Sequence, residues 1–177
     1  MKDFEKLLRG GDLRSTGNGS IAVTMVESQH DFDQLFSLVY SSNRVVAMCA
    51  ADAVEKISVK NPLLLATHKH EVLSLAESVT HKEIKWHIAQ LIPLLCLNVE
   101  ELRFSWDILT NWAMDKTNSN IVRVNSLQGL FELTKINPCN NIALTGLLLK
   151  LEKENIPSIK ARVRKLQSGL QDNWPKY

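Results

Sequence analysis

Four histidines, His68, His70, His81 and His87, fall within 20 residues and raise the question of a metal site. Zinc ligands are spaced more tightly as Cys/His pairs, and residues two apart on a helix point in different directions, so His68 and His70 would not chelate together. No metal or other cofactor is expected. Trp86, Trp106 and Trp112 have Arg103 and Asp107 near them in sequence. Trp106 shares the apolar stripe of its own helix, so packing is the expected role. The stretch Gly10 to Ser20 is rich in glycine and hydroxyls and carries Arg14, the composition of a loop that offers backbone N–H groups to an anion. No Gly-Lys-Ser/Thr follows, so it is not a P-loop, and Ser20 is expected to cap the next helix. Lys160, Arg162, Arg164 and Lys165 crowd into six residues near the end. No serine sits in a Gly-x-Ser-x-Gly turn. No catalytic residue follows from these groups, and an enzyme is not expected.

Composition restricts what such residues can serve. At 177 residues the chain is long enough to bury a core without staples, and 45% hydrophobic against 23% charged residues suits a globular protein. A formal charge of +2 is small for a nucleic-acid binder, so basic function must come from local clusters. Cys49, Cys96 and Cys139 lie 47 and 43 residues apart, without a zinc or redox spacing, and read as reduced core residues. No apolar run reaches the roughly 18 residues of a membrane span, and the acidic start Met-Lys-Asp-Phe-Glu does not resemble a signal peptide, so a cytoplasmic protein without membrane contact is expected.

The elements that position these residues repeat. Phe4, Leu7 and Leu8 predict a short helix over 2–9, stopped at Gly10-Gly11 by positive backbone angles, and an apolar run from Ile21 to Val26 predicts another. Beyond residue 30, a twelve-residue frame with positions 1, 5, 8 and 12 on one helical face starts at Val46, Ile84, Val122 and Ile159, at spacings of 38, 38 and 37. Asn61-Pro62 and Asn137-Pro138 lie two periods apart and read as N-cap and first helical residue; Asn98 is the equivalent cap between them, and Pro157 precedes the fourth frame. Segments 31–41, 62–79, 99–116 and 139–154 carry their own apolar stripes, so each period reads as two antiparallel helices. Such a unit buries its apolar face only by stacking. Pro93, inside the second frame, is expected to bend its helix.

The frames Val-x-x-x-Ala-Ala-x-Ala-Val, Ile-Lys-x-x-Ile-Ala-x-Leu-Ile and Val-Arg-x-x-Ser-Leu-x-Gly-Leu resemble the second helix of HEAT repeats. With Gly10-Gly11-Asp-Leu-Arg-Ser and Phe32 to Lys56, the chain resembles small prokaryotic HEAT-repeat proteins of unassigned function. The period is a little shorter than the roughly 40–47 residues of that family. The resemblance implies an all-α fold, a right-handed α-α superhelix of about four hairpins with a short N-terminal helical extension. The expected division is 1–29, an N-terminal helix and glycine-rich loop packed on the solenoid, and 30–177, with repeats at about 30–60, 61–97, 98–136 and 137–171. It further implies that the second helices line the inner surface.

Frame positions 4, 7 and 11 then form a polar ladder: Cys49, Asp52 and Lys56; His87, Gln90 and Leu94; Asn125, Gln128 and Glu132; Arg162, Lys165 and Gly169. His87, Gln90, Asn125, Gln128, Arg162 and Lys165 are the expected partner-binding residues, and a merely solvated face is the plainer alternative. Arg14, Lys160 and Arg164 form a weaker anion-binding set. Position 2 holds Ala47, Lys85, Arg123 and Lys160, where HEAT repeats place a basic residue that braces neighbours. The expected function is a non-enzymatic protein-binding scaffold or adaptor. A nucleic-acid module acting through the basic last repeat and similar to the HEAT-like alkylated-DNA glycosylases, a resemblance that would have Trp86, Trp106, Trp112, Arg103 and Asp107 handle an alkylated base, and an accessory subunit similar to the HEAT-like chromophore lyases are the alternatives.

Overall fold

A computed structural model describes residues 2–10 and 18–172. Every regular element among them is helical: α1 (Phe4–Arg9), α2 (Asn18–Met25), α3 (Gln29–Ser37), α4 (Arg44–Lys60), α5 (Leu63–Ala66), α6 (Lys69–Ser78), α7 (Lys82–Leu91), α8 (Val99–Met114), α9 (Asn120–Ile136), α10 (Asn141–Glu152) and α11 (Pro157–Asp172). Single 3-10 turns follow α3 and α7 and precede α10. None of these helices is long and apolar enough to cross a membrane. The chain divides into two compact units, Met1–Cys96 and Leu97–Tyr177. Each holds two of the sequence repeats, and the first also holds the N-terminal extension.

In the first unit α4 is the central element, packed against α1, α2, α3 and α7. Every residue from Val46 to Val54 is buried, and four of them are alanines, small enough to admit neighbours from several sides. Asn43 starts the helix by accepting hydrogen bonds from the N–H groups of Val45 and Val46 at 3.0 and 3.3 Å. α2 begins at Asn18, two residues before the expected cap, so Ser20 lies inside it. The reason is tertiary: Asn18 Nδ2 donates to the Leu7 carbonyl at 2.7 Å, and Gly19 lies against α4, where a Cβ would meet Asp52 Oδ2 at 3.2 Å. Gly10 ends α1 with φ −82°, not a positive angle; a side chain there would crowd Asn18 Nδ2 at 3.2 Å.

The segment expected as one helix over 62–79 is two, α5 and α6. Gln29 Nε2 donates to the Leu64 carbonyl at 3.0 Å, and His68 N–H turns to Leu65 in a tighter turn. Asn61 closes α4 through its own N–H to Ile57 and does not cap α5 with its side chain. Pro93 does not bend a continuous helix. It ends α7 at Leu91 and sits in the following 3-10 turn, from which Leu95 leaves in an extended conformation and is buried.

In the second unit α8 and α9 pack as a hairpin, α9 packs on α11, and α10 pairs with α11. Asn98 and Glu101 form a capping box on α8, each accepting from the other's N–H at 2.9 and 2.8 Å. Asn137 accepts from Cys139 N–H and Pro138 is the first residue of the 3-10 turn before α10, the cap-and-proline arrangement expected there. Both units thus pack the second helix of one hairpin against the second helix of the next, α4 on α7 and α9 on α11. All sixteen frame positions 1, 5, 8 and 12 are buried. Of the cysteines only Cys49 is a core residue; Cys96 and Cys139 are exposed at helix ends.

Candidate functional site

The polar ladder lies along two seams between template helices, one in each unit. In the first, Asp52 and Lys56 of α4 pair one turn apart at 2.6 Å. Glu55, one position before Lys56, reaches α7: one carboxylate oxygen meets His87 Nδ1 at 2.5 Å and accepts from Gln90 Nε2 at 2.8 Å. His87 is only 3% exposed, with its ring edge-on to Trp86 at 4.8 Å. Its partner therefore lies within the seam. Glu55 occupies position 10 of its frame, which holds Pro93, Phe131 and Ser168 in the others, so no periodicity distinguished it.

The second seam repeats the arrangement with other side chains. Arg162 of α11 donates to Gln128 Oε1 of α9, Gln128 Nε2 donates to Glu132 at 2.7 Å, and Glu132 pairs with Lys135 at 2.5 Å. Burial lowers the pKa of the Arg162 guanidinium from its ordinary value. Asn125 is half-buried on the same ladder, and Lys165 is exposed. Four of the six expected partner-binding residues, His87, Gln90, Gln128 and Arg162, are thus bonded across or along a seam.

Position 2 braces where the charge is buried. Arg123, 1% exposed, donates from Nε to the Ala113 carbonyl at 2.8 Å and from both terminal nitrogens to Glu154 at 2.9 Å. This fork links the end of α8 and the segment after α10 to α9. The Arg123 guanidinium is the main cause that holds the Glu154 carboxyl below its ordinary pKa. Of the weaker anion set, Lys160 donates to Asn155 at 3.1 Å, Arg164 is exposed on α11, and Arg14 lies outside the described residues, as does most of the loop that carries it.

The residues suspected of handling a base separate. Trp112 is buried, and Trp86 has its indole N–H buried without a hydrogen-bond partner among the described residues. Trp106 and Arg103, however, line one cavity of about 570 Å³ with Asn98, Leu102, Asn137 and Asn140, between the start of α8 and the end of α9. Asp107 is exposed outside that lining. A second cavity of about 380 Å³ opens where α4 and α7 begin, beneath the Arg44–Glu83 ion pair of 2.5 Å.

His68 is bonded to carboxylates of α3 and α6. Its Nδ1 meets Glu71 at 2.6 Å and its Nε2 meets Asp33 at 2.7 Å, so both ring nitrogens are engaged by carboxylates. The ring stacks on Phe36 with centroids 4.0 Å apart and so ties α6 to α3. Among the described residues no three His, Cys, Asp or Glu side chains gather as a metal-binding group. No protein-family model matches the chain, and no curated protein matches it.

Proposed function

We propose that the chain is a non-enzymatic, HEAT-like α-solenoid scaffold that docks a protein partner along the ladder of its second helices. The observation that carries this reading is the recurrence of one arrangement in both units: second helix on second helix, buried frame positions on one side, polar seams on the other. The seam bonds hold the ladder rigid, and a rigid polar surface loses little freedom when a partner binds. In the second unit exposed Lys165 and half-buried Asn125 stand outside the seam bonds described above.

The accessible residues also decide which variants are informative, because changing Gln90 or Gln128 would break a seam. Affinity purification from the native cell with the wild type and with an Asn125→Arg/Lys165→Glu variant is the test. Loss of a specific partner at unchanged thermal stability is expected, and identical partner sets would sink the proposed face.

A second reading has one observation in its favour. Arg164 and Lys165 are exposed on α11 and make no ion pair among the described residues. A nucleic-acid module would retain DNA at low salt and lose it steeply as salt rises. Retention that disappears with Arg164→Ala/Lys165→Ala would favour this second reading over the first.

A further inference from the structure

Helix α10 has apolar residues on every side, Asn-Ile-Ala-Leu-Thr-Gly-Leu-Leu-Leu-Lys-Leu-Glu, a composition normally enclosed on all faces. Only one face is enclosed. Leu144, Leu147, Leu148 and Leu151 are buried, while Ile142 is 76% and Leu149 52% exposed. These two lie seven residues apart, about two turns or roughly 10 Å along the axis.

Between them stands Gly146, with nothing within 4 Å of where a Cβ would be. Gly169 differs: a Cβ there would meet the Phe131 ring at 2.9 Å, so close packing explains it. No contact among the described residues requires Gly146 to lack a side chain, although glycine weakens a helix interior. Two apolar posts with a notch between them are shaped for another backbone crossing closely, as one helix does over another.

The charge around the stripe is mainly positive. Lys150 and Lys153 adjoin Leu149, are exposed, and make no ion pair among the described residues. Lys150 lies in the last turn, where it complements the helix dipole while its charge stays in solvent at the edge of the stripe. Of the acids nearby in sequence, Glu154 is neutralised by Arg123, while Glu152 is exposed and accepts only from the neutral amide of Gln167 at 3.4 Å, leaving two lysines against one carboxylate beside the stripe.

We propose that this face of α10 docks an acidic amphipathic helix of a partner protein. Its apolar side packs between Ile142 and Leu149 with its backbone over Gly146, and its carboxylates pair with Lys150 and Lys153. The face lies off the second helices, so the inference does not depend on the ladder.

The test places a photoreactive benzophenone side chain at position 142 of the full chain, irradiates native cells, and sequences the cross-linked peptides. An adduct with an acidic, amphipathic helical segment is expected. It should fall at least tenfold with Gly146→Leu, which fills the notch, and with Lys150→Glu/Lys153→Glu. It should persist with Asn125→Arg/Lys165→Glu, which separates this face from the ladder. Thermal melting of Gly146→Leu should not fall, because the added side chain meets no neighbour. Adducts with a second copy of the chain, with lipid, or with a basic segment would overturn the proposal. So would no adduct, or an adduct insensitive to Gly146→Leu.

Discussion

Arg123 is the residue whose loss the fold should feel most. Its guanidinium is buried and donates from all three nitrogens, so truncation would leave the Ala113 carbonyl and the Glu154 carboxylate without this partner. Arg123→Ala is expected to cost about 3–5 kcal/mol in urea unfolding. Arg123→Met combined with Glu154→Leu should recover much of it, because an apolar pair needs no charge compensation. The Glu154 pKa is lowered in the folded state, so the contribution of this pair is present above the ordinary carboxylate range and declines as pH falls through the folded value. Asp31 offers a sharper acid test. The Lys2 ammonium, 2.8 Å away, is the main cause that lowers its pKa to about 2. The attachment of the N-terminus should therefore hold above pH 4 and weaken toward pH 2. An NMR titration should place the Asp31 midpoint near 2 and move it back toward the ordinary range in Lys2→Ala; an unmoved midpoint would contradict this assignment.

At the scale of the element, two glycines in neighbouring helices should respond in opposite ways. Gly146→Ala in α10 is expected to stabilise by up to about 1 kcal/mol, the helix-propensity difference, since its Cβ enters open space. Gly169→Ala in α11 gains the same propensity but drives a methyl into Phe131, whose ring is buried and covered by Lys135 at 5.1 Å. Overpacking of this kind costs about 1–3 kcal/mol, so net destabilisation is expected. Thermal melts of the two variants decide it. Capping gives a third measure: Asn98→Ala removes the side-chain half of the box on α8 and should cost about 1 kcal/mol.

Across the whole molecule, each unit has its own buried residues and its own seam. Native-state hydrogen exchange is expected to release amides in two groups that divide near residue 96. One group spanning both units would contradict that division. Charge is also unevenly spread: residues 97–177 hold eleven Lys and Arg against eight Asp and Glu, whereas residues 1–96 hold ten against eleven. Any salt-dependent attraction for an acidic partner should therefore arise in the second unit.

The sequence alone determined the helices and their core faces. Val46, Ile88, Leu133 and Val163 could be placed on core faces because a helix repeats every 3.6 residues and apolar side chains must leave water. The caps at Asn98 and Asn137 were legible for a similar reason, since a cap acts within a few residues of its own helix. The events at helix junctions were not. The break at His68 and the early start of α2 at Asn18 depend on partners beyond the local pattern, and α7 stops at Leu91, before the 3-10 turn that holds Pro93. Glu55 joining His87 across 32 residues, and Arg123 joining Glu154 across 31, lie outside any local pattern for the same reason. The exposed stripe on α10 is the clearest case. Its apolar composition implied burial on every side, and only the packing of its neighbours decided that Ile142, Gly146 and Leu149 would remain uncovered.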